Sequence, residues 1–258
     1  TDDYKDDINA RSRMTNWLAG GSCYVPNIKG KGVPFELSLA VHSDAGYTND
    51  MKSIYGSLSI CTTNTNNGKL NSGKSRQCSK DFAQSLLSGL QKDLTANFGK
   101  WATRELYDRN YSETRCPEVP SAIIETLSHQ NFPDMVMAQD PNVKFTIARS
   151  LYKTILKFIS RQHDKSYVVT PLAPQHPYIK FVDEGMVEIA WDPQEDPTEP
   201  SAKPTSYILY TATGNGDFDN GEPIKGNRIR VRMTADVQYS FKITAVNKGG
   251  ESFPSETL

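Results

Sequence analysis

Two residues in this 258-residue chain have types and settings suited to hydrolytic chemistry, His42 and Glu125. His42 follows PFELSLAV, in which Phe35, Leu37, Leu39 and Val41 alternate with Glu36, Ser38 and Ala40. That period of two predicts a strand with His42 at its carboxyl end. Glu125 follows Ala122, Ile123 and Ile124 in SAIIET, residues 121 to 126, a short buried strand. Ligands of open α/β sheets bind outside the carboxyl ends of strands, so two such residues on one rim can meet. An imidazole there is a natural zinc ligand, and a neighbouring carboxylate can take a proton from zinc-bound water, whose pKa the metal lowers to about 7. Each residue taken alone also suits a structural or surface role.

The elements that must hold this pair are readable from periodicity. Residues 7 to 18 form a helix in which Ile8, Met14, Trp17 and Leu18 fall loosely on one face, stopped by Gly20 and Gly21. SLSIC, 57 to 61, is a second short strand. A strong amphipathic helix starts near Ser79 and carries Phe82, Leu86, Leu87, Leu90 and Leu94 down to Gly99. A loop holding Pro133 and Pro141 precedes another helix, from about Val143 to Ser160, defined by Ile147, Leu151, Ile155, Phe158 and Ile159. Strands alternating with helices predict a three-layer α/β domain over residues 1 to 165. Past Gln162 comes the Pro-rich linker VVTPLAPQHP. From 170 to 258 only short strands remain, including MVEIAW, SYILYTA, NRIRVRM and YSFKITAV, at the spacing of a β-sandwich.

GKLNSGKS, residues 68 to 75, fits the phosphate-cradling pattern G-x-x-x-x-G-K-[ST] at Gly68, Gly73, Lys74 and Ser75. A working cradle needs a buried strand running into the first glycine and a helix opening at Lys-Ser. Here TTNTNN separates SLSIC from Gly68, and Ser79 caps the next helix. The string reads as a solvated loop, with nucleotide binding as the lesser alternative.

Composition bounds the rest. Hydrophobic residues make up 37% of the chain, and 29 Lys and Arg balance 30 Asp and Glu, so no net field favours nucleic acid or an anionic membrane surface. No run approaches the ~18 apolar residues of a membrane span. Cys23, Cys61, Cys78 and Cys116 form no C-x-x-C pair, which argues against a thiolate zinc site. A disulfide between Cys61 and Cys78 and four unrelated thiols are both open. The opening residues lack the features of a signal peptide.

FELSLAVHSDAG resembles the strand that carries a zinc-binding His in zinc-dependent N-acetylmuramoyl-L-alanine amidases of the amidase 3 type. RCPEVPSAIIETLSHQNFPD is similar to that family's segment bearing the catalytic Glu, and INARSRMTNWL to the helix before the His strand. The likeness spans about residues 1 to 162 and implies an amidase-like α/β fold. It implies His42 as a zinc ligand, Glu125 as general base and then acid, and Arg115 near the substrate, with Arg115 as a surface ion-pair partner the competing reading. The implied reaction is attack of zinc-activated water on the lactyl-to-alanine amide of peptidoglycan. Two further ligands of the family, a His in a GHGG-like turn and a Glu on its first helix, match nothing here; the expectation is that the chain is the later part of a larger domain, with weak zinc binding and little activity. His163 and His176 match neither motif.

YSFKITAVNKGGESFPSETL resembles the last two strands of a fibronectin type III domain, with Trp191, Tyr207 and Tyr239 at that fold's core Trp, core Tyr and tyrosine-corner positions. All three are expected in the core. GNGDFDNGEP, with Asp217 and Asp219, lacks a full calcium-loop pattern and predicts a hairpin turn. The resemblances together imply a cell-envelope, periplasmic or secreted hydrolase of peptidoglycan or a related glycan, with zinc as cofactor and neither nucleic acid nor membrane insertion. The alternative is a non-catalytic glycan-binding or scaffold module with a degenerate amidase fold.

Overall fold

The structure, a computed structural model, describes residues 2–258 and divides into two units, Thr1–Asp164 and Lys165–Leu258. The first is built on a four-stranded sheet of β1 (Ser38–Asp44), β2 (Leu58–Cys61), β3 (Tyr107–Asp108) and β4 (Ser121–Ser128), in the order β1-β4-β2-β3. β4 runs parallel to β1 and antiparallel to β2, and β2 runs parallel to β3. Five helices join it: α1 (Asp3–Leu18), α2 (Gln77–Phe98), α3 (Ser112–Arg115), α4 (Phe132–Gln139) and α5 (Pro141–Gln162).

Alternation along β4 sends Ala122 and Ile124 to one face and Ile123 and Glu125 to the other. On the first face α2 and α5 bury Phe82, Leu86, Leu90, Leu94, Leu151 and Phe158 in one cluster with Ile124. The two helices come close because position 89 is glycine: a Cβ there would stand 2.6 Å from Thr154 Oγ1. On the second face Leu58, Ile60 and Ile123 form a small cluster with Ala40 and Tyr107. The short helix α3 packs on this side against β4 and β2, and α1 lies along α3. The result is a mixed α/β unit. No helix among the described residues is long and apolar enough to cross a membrane.

Several sequence expectations shift. β1 begins at Ser38 rather than Phe35, because Phe35 packs with Tyr24 and Val25 while Leu37 and Leu39 face the α2/α5 cluster. His42 therefore sits two residues inside the strand. The 133–141 segment is not a loop: Pro133 and Pro141 open α4 and α5, where a missing N–H costs nothing. In α1 the loose apolar face is not the buried one. Met14 and Trp17 are 54% and 56% exposed while Ser12 is buried, since α1 meets its neighbour through polar groups.

The second unit is all β. β5 (Gln175–Asp183), β6 (Met186–Asp192) and β9 (Arg228–Arg232) form one antiparallel sheet, and β7 (Ser206–Thr213), β8 (Glu222–Ile224), β10 (Tyr239–Asn247) and β11 (Gly250–Glu251) form another. Their inward faces bury Trp191, Tyr207, Leu209, Phe241 and Ile243, and the Trp191 and Tyr207 rings meet edge-on at 5.2 Å. Tyr239 is only half-buried, at the margin of this core, and its hydroxyl accepts from the Thr234 N–H at 3.3 Å. Asp219 accepts from the Thr211 and Gly221 N–H groups, closing the β7–β8 turn.

Candidate functional site

His42 of β1 and Glu125 of β4 are register partners across the parallel pair, so their side chains leave the same face side by side. Immediately beyond them the register shifts, Asp44 pairing with Ser128. Such irregularities re-aim side chains at strand ends. Thr126 Oγ1 donates to the His42 carbonyl at 3.0 Å, holding the shifted geometry.

A third group completes the pair. Glu113 of α3 places Oε2 3.2 Å from His42 Nε2, and its Oε1 accepts from Arg11 Nη1 at 2.9 Å. Three polar contacts fix α3 on α1: the Ser12 hydroxyl donates to the Ser112 carbonyl at 3.1 Å, the Ser112 hydroxyl donates to the Ile8 carbonyl, and Asn16 Nδ2 donates to the Cys116 carbonyl at 2.7 Å. Glu113 thus faces a cavity of about 380 Å³ lined by Arg11, Ser12 and Thr15, by β1 from Ser38 to His42, and by Glu113 itself.

Glu125 is 9% exposed, and its Oε2 has no hydrogen-bond partner among the described residues. Burial pushes its carboxyl above the ordinary range, and the Asp44 charge adds to this; His42, Arg104 and His129 pull the other way. Arg104 donates from Nη1 to Asp44 Oδ2 and stacks over Tyr55, its guanidinium carbon 4.3 Å from the ring centre. Its Nε and Nη2 are buried without partners among the described residues. His129 lies behind β1, with Nδ1 3.2 Å from the Ser43 hydroxyl. A carboxyl raised by burial, with one oxygen free of hydrogen bonds, suits a group that exchanges a proton.

The structure separates Arg115 from this arrangement. One helical turn aims residues two apart in different directions. Glu113 reaches His42, whereas Arg115 donates to Asn110 Oδ1 at 2.6 Å and to Cys116 Sγ. Arg11 and Arg104 are the guanidinium groups beside His42, Glu113 and Asp44. Glu113 carries no signal in the sequence, because α3 is only four residues long and shows no periodicity. For zinc, His42 Nε2 and Glu113 Oε2 fit two vertices of a tetrahedral site: bonds of ~2.0 Å put adjacent ligand atoms about 3.3 Å apart.

The Walker-like string is folded on itself. The N–H groups of Gly68, Lys69, Leu70, Gly73 and Arg76 donate to carbonyls between Thr65 and Lys74, and the Asn71 N–H donates to the Glu118 carboxylate. Few amides are left to point at a phosphate, and an acid occupies the place an anion would take. Leu70 is buried with Tyr24, Val25 and Val119, and Arg76, 1% exposed, donates to the Lys69 and Thr114 carbonyls. Cys61 and Cys78 do not pair; Cys61 is buried, and desolvation pushes its thiol up to about 12.

No family model matches the chain, and no curated protein matches it. Among solved structures, the twitchin kinase region of C. elegans aligns at 24% identity with a TM-score of 0.31, covering 34% of this chain and 16% of its own. Titin domains A168 to A170 align at 23% identity with a TM-score of 0.30, covering 34% and 30%. A structure described as a myokine aligns at 15% identity with a TM-score of 0.29, covering 34% of this chain and 94% of its own.

Proposed function

We propose that the first unit is a zinc-dependent amidase module of the N-acetylmuramoyl-L-alanine type, acting on peptidoglycan in the cell envelope, periplasm or outside the cell. In this reading the second unit is a fibronectin type III-like spacer or binding domain. The observation that carries the reading is the register pairing of His42 with Glu125, with Glu113 3.2 Å from the imidazole. Zinc held by His42 and Glu113 would supply a polarised water at neutral pH. Glu125, raised by burial, would serve as the proton acceptor and then as the donor to the leaving amine. Arg104 orients the Asp44 carboxylate beside Glu125.

The test combines zinc titration by calorimetry with chromatography of muropeptide digests. His42→Ala is expected to abolish zinc binding at this site and cleavage together, and Glu125→Gln to abolish cleavage while zinc binding at this site persists. Cleavage unaffected by Glu125→Gln would overturn the reading. A second reading, a glycan-binding module without catalysis, is favoured by the ligand set, since His42 and Glu113 supply two protein ligands and catalytic zinc normally takes three. Sedimentation with insoluble peptidoglycan, without release of stem peptides, is its expected signature.

A further inference from the structure

We propose a second metal site, unrelated to the amidase reading, at Cys23, Glu36 and His163: a structural position for a borderline-soft divalent cation of the zinc class. The three residues come from separate parts of the first unit. Cys23 lies in the loop after α1, Glu36 in the approach to β1, and His163 at the carboxyl end of α5. Their ligand atoms all lie within 4.8 Å of one another. Glu36 Oε2 is 3.6 Å from Cys23 Sγ and 3.0 Å from His163 Nε2. With zinc bonds of ~2.3 Å to sulfur and ~2.0 Å to nitrogen and oxygen, tetrahedral geometry asks for about 3.5 Å and about 3.3 Å on those edges. Both observed edges lie within a few tenths of an ångström of these values.

Thiolate, imidazole and carboxylate together favour zinc over magnesium or calcium, which take all-oxygen shells. The position at the carboxyl end of the 22-residue α5 favours a cation, because the helix dipole is negative there. The side chains of His163 and Glu36 are 38% and 23% exposed, so an ion can enter from solvent. Binding forms one bond to each ligand atom and releases the Cys23 thiol proton to solvent. The bound ion would pin the Cys23 loop and the β1 approach to the end of α5, acting as a staple.

The test is titration of the reduced full chain with cobalt(II), followed by zinc. A thiolate-to-cobalt charge-transfer band saturating at one equivalent and displaced by zinc is expected. The site on His42 contains no thiol, so His42→Ala should leave the band intact, which separates this inference from the amidase reading. Cys23→Ser should abolish the band, and His163→Ala should weaken cobalt affinity by at least the ~10–100-fold that losing even an outer-shell partner costs. Far-UV circular dichroism checks that each variant folds, and the exposed His163 provides a second route should Cys23→Ser fold poorly. Absence of a thiolate band, its persistence in Cys23→Ser, or its indifference to His163→Ala would each overturn the proposal.

Discussion

His42 and Glu125 stand opposite each other across β1 and β4, yet the Oε2 atom of Glu125 bonds to nothing among the described residues. A carboxyl held this way favours its protonated form, so its folded-state pKa lies above the unfolded one. By linkage, the stability it contributes is full below its ordinary value of 4.5 and is lost as pH rises through the folded value. Glu125→Gln should therefore match the parent's melting temperature in acid and exceed it at neutral pH. Thermal melts across pH 4 to 8 check this, and a glutamine variant less stable at pH 7 than the parent would contradict it.

Glu113 joins Arg11 to His42 through its two oxygens. If it is a ligand rather than a surface acid, Glu113→Gln should reduce zinc affinity at His42 by about 10-fold or more, since a neutral amide is a poorer ligand than a carboxylate. Calorimetry in the Cys23→Ser background isolates this site. The Arg11–Glu113 ion pair has an exposed arginine, so Arg11→Ala should leave the denaturation midpoint unchanged.

Asp134 is fully buried and accepts four N–H groups: the backbone amides of Tyr55, Gly56 and Ser128, and Asn131 Nδ2, all at 2.8–2.9 Å. It ties the end of β4 to the approach to β2 and to the start of α4. Hydrogen bonds to a charged group contribute about 1.5–3 kcal/mol each and do not add fully, so Asp134→Ala should cost about 3–5 kcal/mol. Asp134→Asn, keeping one acceptor oxygen, should fall between. A urea-unfolding loss under ~1 kcal/mol for the alanine variant would mean the carboxylate does not hold these segments.

Lys74 occupies the lysine place of the Walker-like string, with its Nζ 5.1 Å from the centre of the Tyr24 ring. The loop amides are already bonded within the loop, and Glu118 holds the Asn71 N–H. Equilibrium dialysis with ATP and magnesium should show no saturable binding, and Lys74→Ala should change nothing. Saturable binding lost in that variant would restore the nucleotide reading. Arg76→Ala should instead destabilise the chain, because it removes a buried guanidinium from the Lys69 carbonyl and strands the buried Thr114 carbonyl.

What the sequence revealed depended on periodicity. α2 and α5 were legible because Leu86, Leu90 and Leu94, and Ile147, Leu151 and Phe158, repeat at helical spacing against one cluster. β4 was legible as a short apolar run. α3 was not, since four residues make barely one turn, and Glu113 was lost with it. α4 was masked by Pro133, whose breaking tendency hides its suitability for a first turn. α1 misled in the other direction: its buried side is polar, carrying Ser12 toward α3, so its apolar residues do not mark its packing face. His42 and Glu125 were found by type and flanking strand, but their common register needed the sheet order, which no local pattern encodes.

Gly89 offers a test of the layer behind the site. In an exposed helix, Gly→Ala gains roughly 0.8–1 kcal/mol from helix propensity. Here the new methyl would stand 2.6 Å from Thr154 Oγ1 and 3.4 Å from Ser150 Oγ, and overpacking of this kind costs about 1–3 kcal/mol. Thr154 is β-branched and restricted at χ1, which leaves it few ways to swing clear. Gly89→Ala should therefore be neutral to ~2 kcal/mol destabilising, and combining it with Thr154→Ala should recover the propensity gain. A double-mutant cycle in urea measures the coupling. Additive single-mutant effects would show that α2 and α5 are not in close contact at this point.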